Sequence, residues 1–247
     1  MDFLNKTVVI TGAGSGIGAG CAKSFAKEGA NVVLADINEQ AITEIANDII
    51  AEGGKALAVV TDVTKYADAK FCCDSAAEKF GTIDVVVTCA GGSELRICGA
   101  HGEFHEIPID VFDFGIDLNL KGAMYFHHAA FGYMAKQNSG VIIPIGSITG
   151  ADGGYDIAYS ASKSALMNGV VKSLAIAGAS HNIRAVCIAP GPVLTRPAMA
   201  GMKTLLGRAA QPQEIVDAIM YAASEKGAFL NGTTILIDGG RNALPRV

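Results

Sequence analysis

The run Lys6–Gly18, KTVVITGAGSGIG, decides the fold: β-branched residues to Ile10, then Thr11-Gly-Ala-Gly-Ser-Gly-Ile-Gly18, then a helical pattern through Lys27 that stops at Gly29. That order predicts a strand, a glycine turn and a helix. Glycines let the backbone turn tightly and approach a pyrophosphate, whose charge then meets free N–H groups at the helix N-terminus. No Gly-Lys-Ser/Thr follows, so the run is not a Walker loop. Gly12, Ser15, Gly16, Ile17 and Gly18 are the candidate cradle.

Outward from the turn, Asn31–Ala35 forms a second strand ending at Asp36, eighteen residues beyond Gly18. A dinucleotide fold places an acid there, against the adenosine ribose hydroxyls. A carboxylate facing a 2′-phosphate at about 4 Å costs on the order of 4 kcal/mol per charge pair at an effective dielectric of 20. No Arg or Lys stands in Ala13, Gly14, Ser15 or directly after Asp36 to offset that cost, so the expected cofactor is NAD(H) rather than NADP(H). The other reading of Asp36 is a helix N-cap ahead of Asn38–Glu52. Ile42, Ile45, Ala46 and Ile49 give that helix its packing stripe. A third strand, Lys55–Thr61, leads to Asp62-Val63, where the carboxylate can accept from an adenine amino group or cap the next helix, Lys65–Phe80. Ile83–Thr88 is the fourth strand. Strands alternating with helices, their cores almost continuously apolar, predict an α/β parallel sheet covered on both faces.

In the second half, Ser93–Pro108 carries Glu94, Arg96, His101 and His105 without a clean period and is expected to be a loop walling a substrate pocket. Arg96 there can meet an acidic substrate. The two histidines lack a third ligand, so no metal site is expected. Val111–Lys136 is helical, with a break near Asp117–Lys121, where Asn119 is a poor helix residue among apolar neighbours. Val141–Gly146 is a fifth strand delivering Ser147. In the helix Ile157–Ala179, Tyr159 and Lys163 stand four apart in the first turn and share one face. Free Tyr titrates near 10, so a phenolate at neutral pH needs roughly 4 kcal/mol of stabilisation. A nearby ammonium in a dry cleft can supply it. The spacing alone is weak, since Tyr66 and Lys70 repeat it. Tyr159 differs in having a serine twelve residues before it, at the end of an apolar run, with a glycine-rich loop between.

Ile183–Ala189 is a sixth strand ending in Pro190-Gly-Pro-Val-Leu-Thr195. A candidate lid, about 196–210, a helix over Gln213–Ser224 and a seventh strand, Thr233–Ile237, complete the chain. The glycine turns, Asp62, Ala90, Ser147 and Pro190 all fall at carboxyl ends of strands, hence on one edge of the sheet, where open α/β folds bind ligands.

With 247 residues, half of them apolar, and no linker-like stretch, one domain spanning 1–247 is expected, its substrate loop at about 92–108. The net charge of −5 and the lack of any basic stretch argue against nucleic acid or an anionic membrane as partner. No apolar run approaches the roughly 18 residues of a span, and the N-terminus lacks a signal-peptide pattern, so a cytoplasmic protein is expected. Six cysteines without zinc-type pairing are expected to remain thiols.

Taken in order, these motifs resemble those of the short-chain dehydrogenase/reductase family over essentially the whole chain. Thr11–Gly18 resembles the family's glycine motif, Asp36 the acid of its NAD-preferring members, and Asp62-Val63 its adenine contact. Asn119, in Leu-Asn-Leu-Lys-Gly, matches the catalytic asparagine, which would hold a water. Ser147, Tyr159 and Lys163 match the rest of the tetrad. Lys163 also resembles the anchor of the nicotinamide ribose, and Pro190, Gly191, Val193 and Thr195 lie in a segment like the one that holds the carboxamide. Two departures stand out. Thr88-Cys-Ala-Gly91 replaces the usual Asn-Asn-Ala-Gly, putting a thiol, Cys89, where an amide braces the sheet, beside Ala90 and Gly91 of the cofactor site. The loop after Gly91 is longer than usual and the segment Arg196–Gly207 shorter, which implies a differently shaped pocket.

The resemblance implies a Rossmann-like, doubly wound parallel sheet of about seven strands with helices on both faces. It also implies NAD as cofactor, interconversion of a secondary alcohol and a ketone with Tyr159 as general acid/base, and a homotetramer or dimer. Two alternatives stand beside it: an NADP(H)-dependent carbonyl reductase of the same fold, and a non-catalytic NAD(H)-binding sensor or scaffold.

Overall fold

A computed structural model describes residues 2–244. The segment opening the chain becomes β1 (Thr7–Thr11), the glycine turn and α1 (Gly16–Lys27). The pattern repeats through β2 (Asn31–Asp36), α2 (Glu39–Ala51), β3 (Lys55–Val60), α3 (Tyr66–Phe80) and β4 (Val85–Thr88). Further on come β5 (Gly140–Pro144), β6 (Ile183–Pro190) and β7 (Thr233–Ile237). All seven strands join one sheet in the order β3-β2-β1-β4-β5-β6-β7, and every pairing is parallel.

Strands of a parallel sheet are buried on both faces, which is why β1 and β4 are apolar almost throughout and fully buried. Alternation divides them between two cores. Val8, Ile10 and Leu34 pack with Cys21 and Phe25 of α1 and with Ile215 and Ile219 of α10 (Pro212–Ala223). Val9, Val33 and Val86 pack on the other face with Cys72 of α3 and with Phe126 and Met134 of α6 (Gly122–Gln137). Each such side chain, fully buried, contributes about 1.5–3 kcal/mol.

The chain runs outward from β1 to β3, then returns to add β4 on the other side of β1. The strand order reverses there, and the turns after β1 and β4 meet: a Cβ on Gly12 would lie 2.8 Å from the Ala90 nitrogen. Gly12 therefore serves by lacking a side chain and by adopting φ +64°.

Three segments differ from the sequence reading. The expected loop after Gly92 holds a short helix, α4 (Glu94–Cys98), and a 3₁₀ turn, Phe104–Glu106. The Ser93 side chain caps α4 by accepting the Arg96 N–H, and Gly99 ends it at φ +65°, so cap chemistry alone defines the helix. The expected helix Ile157–Ala179 is α8 (Ile157–Ala165), a π turn Leu166–Val170 and α9 (Val171–Gly178). β5 ends at Pro144, earlier than Gly146, although the Ile145 N–H still donates to Thr88 O at 3.3 Å and the Gly146 N–H to Ile188 O at 2.8 Å. The break expected near Asn119 is a second π turn, Asp117–Lys121, between α5 (Ile109–Ile116) and α6. Among the described residues, no helix is long and apolar enough to cross a membrane.

Candidate active site

At the carboxyl edge the turn after β1 leads into α1, whose first turn carries no acid and whose N-cap, Ser15, makes no side-chain cap bond. The N-terminal amides of that turn therefore face an anion site without a competing side chain. Gly18 is required for the close packing behind it, since its Cβ would lie 2.2 Å from Gly12 O. Thr195, beyond β6, closes the turn from the other side, with Cγ2 3.1 Å from where a Gly16 Cβ would be.

Asp36 ends β2 and is fixed by two backbone donors, Gly14 N–H at 2.9 Å to Oδ2 and Asn38 N–H at 3.0 Å to Oδ1. It is not the cap of α2. Asn38 is, accepting from the Ala41 N–H. Asp62 accepts from Thr64 N–H (3.0 Å) and Thr64 Oγ1 (2.7 Å) and pairs with Lys65 at 3.1 Å. Burial pushes its carboxyl up, but those hydrogen bonds and the ammonium outweigh it, and the net shift is downward. Val63 is buried against Gly122.

Asn119 is fully buried in its π turn. Its Nδ2 donates to Gly92 O at 2.9 Å and Gly115 O at 3.0 Å, and its Oδ1 accepts the Gly92 N–H at 2.8 Å. Ser147 follows β5, is 8% exposed, and bonds through Oγ only with Thr149 among the described residues: the hydroxyl at 3.1 Å and the N–H at 3.2 Å. In the first turn of α8, Tyr159 is half-buried and its hydroxyl has no hydrogen-bond partner among the described residues. Lys163, one turn on, sets its ammonium 5.5 Å from the centre of the Tyr159 ring.

That ammonium is 3% exposed. Its hydrogen bond goes to Ile145 O at 2.7 Å, and no carboxylate pairs with it among the described residues. A buried cation without a counter-charge is costly, so it marks a place prepared for a ligand. Gly91 lies against it: a Cβ there would stand 2.5 Å from Asn119 Oδ1 and 3.4 Å from Lys163 Nζ. The structure thus gathers Asn119, Tyr159 and Lys163 around one glycine, and the alternation of the sheet brings Ser147 to the same edge.

The family model for short chain dehydrogenases matches residues 6–204. The chain is a short-chain dehydrogenase. Among curated relatives of this dehydrogenase is the cis-4-hydroxycyclohexanecarboxylate dehydrogenase of Sinomonas cyclohexanicum, 34% identical over 98% of each chain. Among solved structures, gox2181 matches with a TM-score of 0.89 at 29% identity, over 98% of this chain and 97% of that one. A 7α-hydroxysteroid dehydrogenase complexed with NADH and 7-oxo glycochenodeoxycholic acid matches with a TM-score of 0.86 at 29% identity, over 96% and 94%. The short-chain dehydrogenase described here is accordingly an oxidoreductase.

In this dehydrogenase the thiol that replaces the family amide, Cys89, packs on the core beside Cys21. A hydrogen bond with Cys89, together with burial, holds the Cys21 thiol well above its ordinary range. His101 and His105 are exposed, and no cluster of three metal-ligating side chains occurs among the described residues. The candidate lid has a 3₁₀ turn, Pro197–Gly201, and is fastened by the buried Thr204, whose hydroxyl donates to Arg208 O at 2.8 Å. One group at this site had no role in the sequence reading. Glu94 is fully buried and accepts the N–H groups of Ala158 at 2.9 Å and Tyr159 at 3.1 Å.

Proposed function

We propose that this short-chain dehydrogenase interconverts a secondary alcohol and its ketone with NAD(H), using Tyr159 as general acid/base. The observation that carries this reading is the buried, carboxylate-free Lys163 ammonium beside a phenol whose hydroxyl has no partner among the described residues. When bound, the nicotinamide supplies the acceptor or donor of hydride. Its pyrophosphate is held at the open N-terminus of α1 by the turn Gly12–Gly18, with Ser15, Gly16 and Ile17 presenting amides. Asp36 takes the adenosine ribose hydroxyls, Asp62 and Val63 the adenine, and Cys89, Ala90 and Gly91 the underside of the site. Pro190, Gly191, Val193 and Thr195 hold the carboxamide, and Lys163 the nicotinamide ribose.

In oxidation the Tyr159 oxygen removes the carbinol proton, and in reduction it returns one to the ketone oxygen. Ser147 Oγ–H donates to the substrate oxygen, where charge develops. The Lys163 ammonium stabilises the negative charge on the phenolic oxygen. The space that a side chain at Gly91 would occupy lies between Asn119 Oδ1 and Lys163 Nζ, and a water there gives the proton a path outward. Asp36 favours NAD(H), because a 2′-phosphate would meet its charge with no cation beside it.

The substrate we propose carries an acid group. Arg184, Arg208 and Arg241 donate to backbone or carboxylate, and Arg196 reaches Met199 Sδ. The Arg96 guanidinium has no such partner among the described residues, and Nη2 lies 3.0 Å from where a Gly92 Cβ would be, at the rim of the Asn119 cluster. Two relatives, by their names, take acid-bearing compounds. Exposed apolar residues on α9 and beside β7, Ile176 and Phe229, support a homo-oligomer, which light scattering would measure.

A 340 nm screen tests the reading, pairing NAD⁺ and NADP⁺ with ring hydroxy acids and their neutral amides. The expected result is NAD⁺ reduction by a hydroxy acid, and a roughly tenfold higher KM in Arg96→Gln. NADH binding without turnover of any alcohol would instead favour a silent cofactor-binding protein.

A further inference from the structure

We infer that Glu94 is a positioning residue: from α4 its carboxylate holds the start of the helix that carries Tyr159, and so ties the placement of Tyr159 to that of Asn119. This rests on the reading of Tyr159 as the acid/base.

A carboxylate removed from water is retained only where charge-assisted hydrogen bonds replace the solvent. Glu94 is fully buried, and the two bonds it accepts come from the second and third residues of α8, Ala158 and Tyr159. These are orphan amides of a helix start, usually served by the side chain of the N-cap. Here the N-cap, Asp156, makes no cap bond and instead accepts the Ser93 hydroxyl at 2.5 Å. The helix is therefore capped in trans, by a residue 64 and 65 positions earlier in the chain, with negative charge at the positive end of its dipole.

Gly115 of α5 makes the arrangement possible. A Cβ there would stand 2.9 Å from Glu94 Cβ and 2.7 Å from Ala158 Cβ, so only a glycine lets α4, α5 and α8 converge. The same residue's carbonyl accepts from Asn119 Nδ2, while Asn119 grips Gly92 through both its N–H and its carbonyl. The segment Gly92–Glu94 is thus a strut, fixed to Asn119 at one end and to the backbone of Tyr159 at the other. Glu94 contacts only backbone amides of α8, so its effect on chemistry passes through Tyr159. A general acid/base misplaced by 1 Å loses up to about 100-fold in rate.

The test compares full-length wild type with Glu94→Gln and Glu94→Ala, using NAD⁺ and the alcohol found in the screen. A glutamine keeps the shape but has one acceptor oxygen for two donors. The expected result is kcat lower by about 10–100-fold, with KM and the NADH dissociation constant within about twofold of wild type. Hydrogen exchange at the start of α8 is expected to rise about tenfold while α1 is unchanged. An unchanged kcat per folded enzyme, with only a lower melting temperature, would overturn the inference and leave Glu94 a stabilising residue. Should the Glu94 variants not fold, Ser93→Ala removes only the neighbouring bond; a roughly threefold loss in kcat at constant KM supports the strut, and no loss overturns it. Tyr159→Phe separates the two levels. If it keeps turnover, the assignment of Tyr159 fails and the inference with it; if it is silent while the Glu94 variants keep kcat, the inference alone fails.

Discussion

Two helices start at the same edge of the sheet, and they treat their exposed amides in opposite ways. α1 opens with a glycine turn, no acid in its first turn and no side chain on its cap amides. α8 opens with its amides taken up by the buried Glu94, and its own N-cap aspartate is turned away to Ser93. Both starts carry the same partial positive charge. A start left unpaired suits an anion that comes and goes, whereas a start satisfied from within fixes the side chains on its first turn. Binding and positioning are thus two uses of one backbone feature, separated by whether the chain supplies its own carboxylate.

That contrast can be broken at either helix. The largest effect is expected on α8 from Tyr159→Phe: turnover falls by at least about 1000-fold while NADH titrated by fluorescence binds nearly as before. Substantial residual turnover would falsify the role given to Tyr159. Next comes Asp36→Ala, beside α1, which removes the acceptor of the Gly14 and Asn38 amides. The preference for NADH over NADPH is expected to shrink by about 100-fold, read as a ratio of dissociation constants. Gly115→Ala follows, with about 2 kcal/mol lost in thermal unfolding, because the new methyl must displace Glu94 and Ala158. Gly132 in α6, with nothing within 4 Å of its Cβ position, is the control, and Ala there is expected to raise stability by about 0.5–1 kcal/mol. The smallest effect gives α1 a carboxylate of its own: Ser15→Asp is expected to raise stability by about 1 kcal/mol and weaken NADH about tenfold. Unchanged NADH affinity would show that the pyrophosphate does not rest on this helix.

A separate expectation concerns acid. Burial lowers the pKa of His127 from 6.5 to about 3, so the folded protein keeps it neutral while the unfolded chain takes up a proton below pH 6.5. The unfolded state binds more protons, so this contribution to stability is complete above about pH 6.5 and is lost as pH falls toward about 3. Melting curves at pH 7 and pH 5 on wild type and His127→Gln check it, with the wild type losing more on acidification.

Much of this was legible in the chain because it rests on local patterns. The glycine turn, the doubly buried Val and Ile strands and the Asp36 terminus each announce themselves within a few residues. Asn119 was visible as a polar interruption among apolar neighbours, which is how a π turn shows itself when its extra residue has a task. Glu94 was in plain sight, yet its partners lie 64 and 65 residues away and its helix is five residues long, too short for any period. The π turn Leu166–Val170 left no trace because the surrounding Ala, Gly and Ser pack acceptably in either register. Cys89 was recognised as a departure, but its contact with Cys21 joins two elements whose crossing only the folded sheet defines.

The turn at Asp117–Lys121 also has a bearing on length. A π turn spends one residue more than an α turn, so deleting a single residue from this segment restores ordinary winding and swings everything downstream by about 100°. Phe126, Ala130 and Met134, now inside, would be carried toward solvent together. The joint between α5 and α6 therefore fixes how many residues the chain can have there, and a shortened relative would need a compensating loss elsewhere in the same helix.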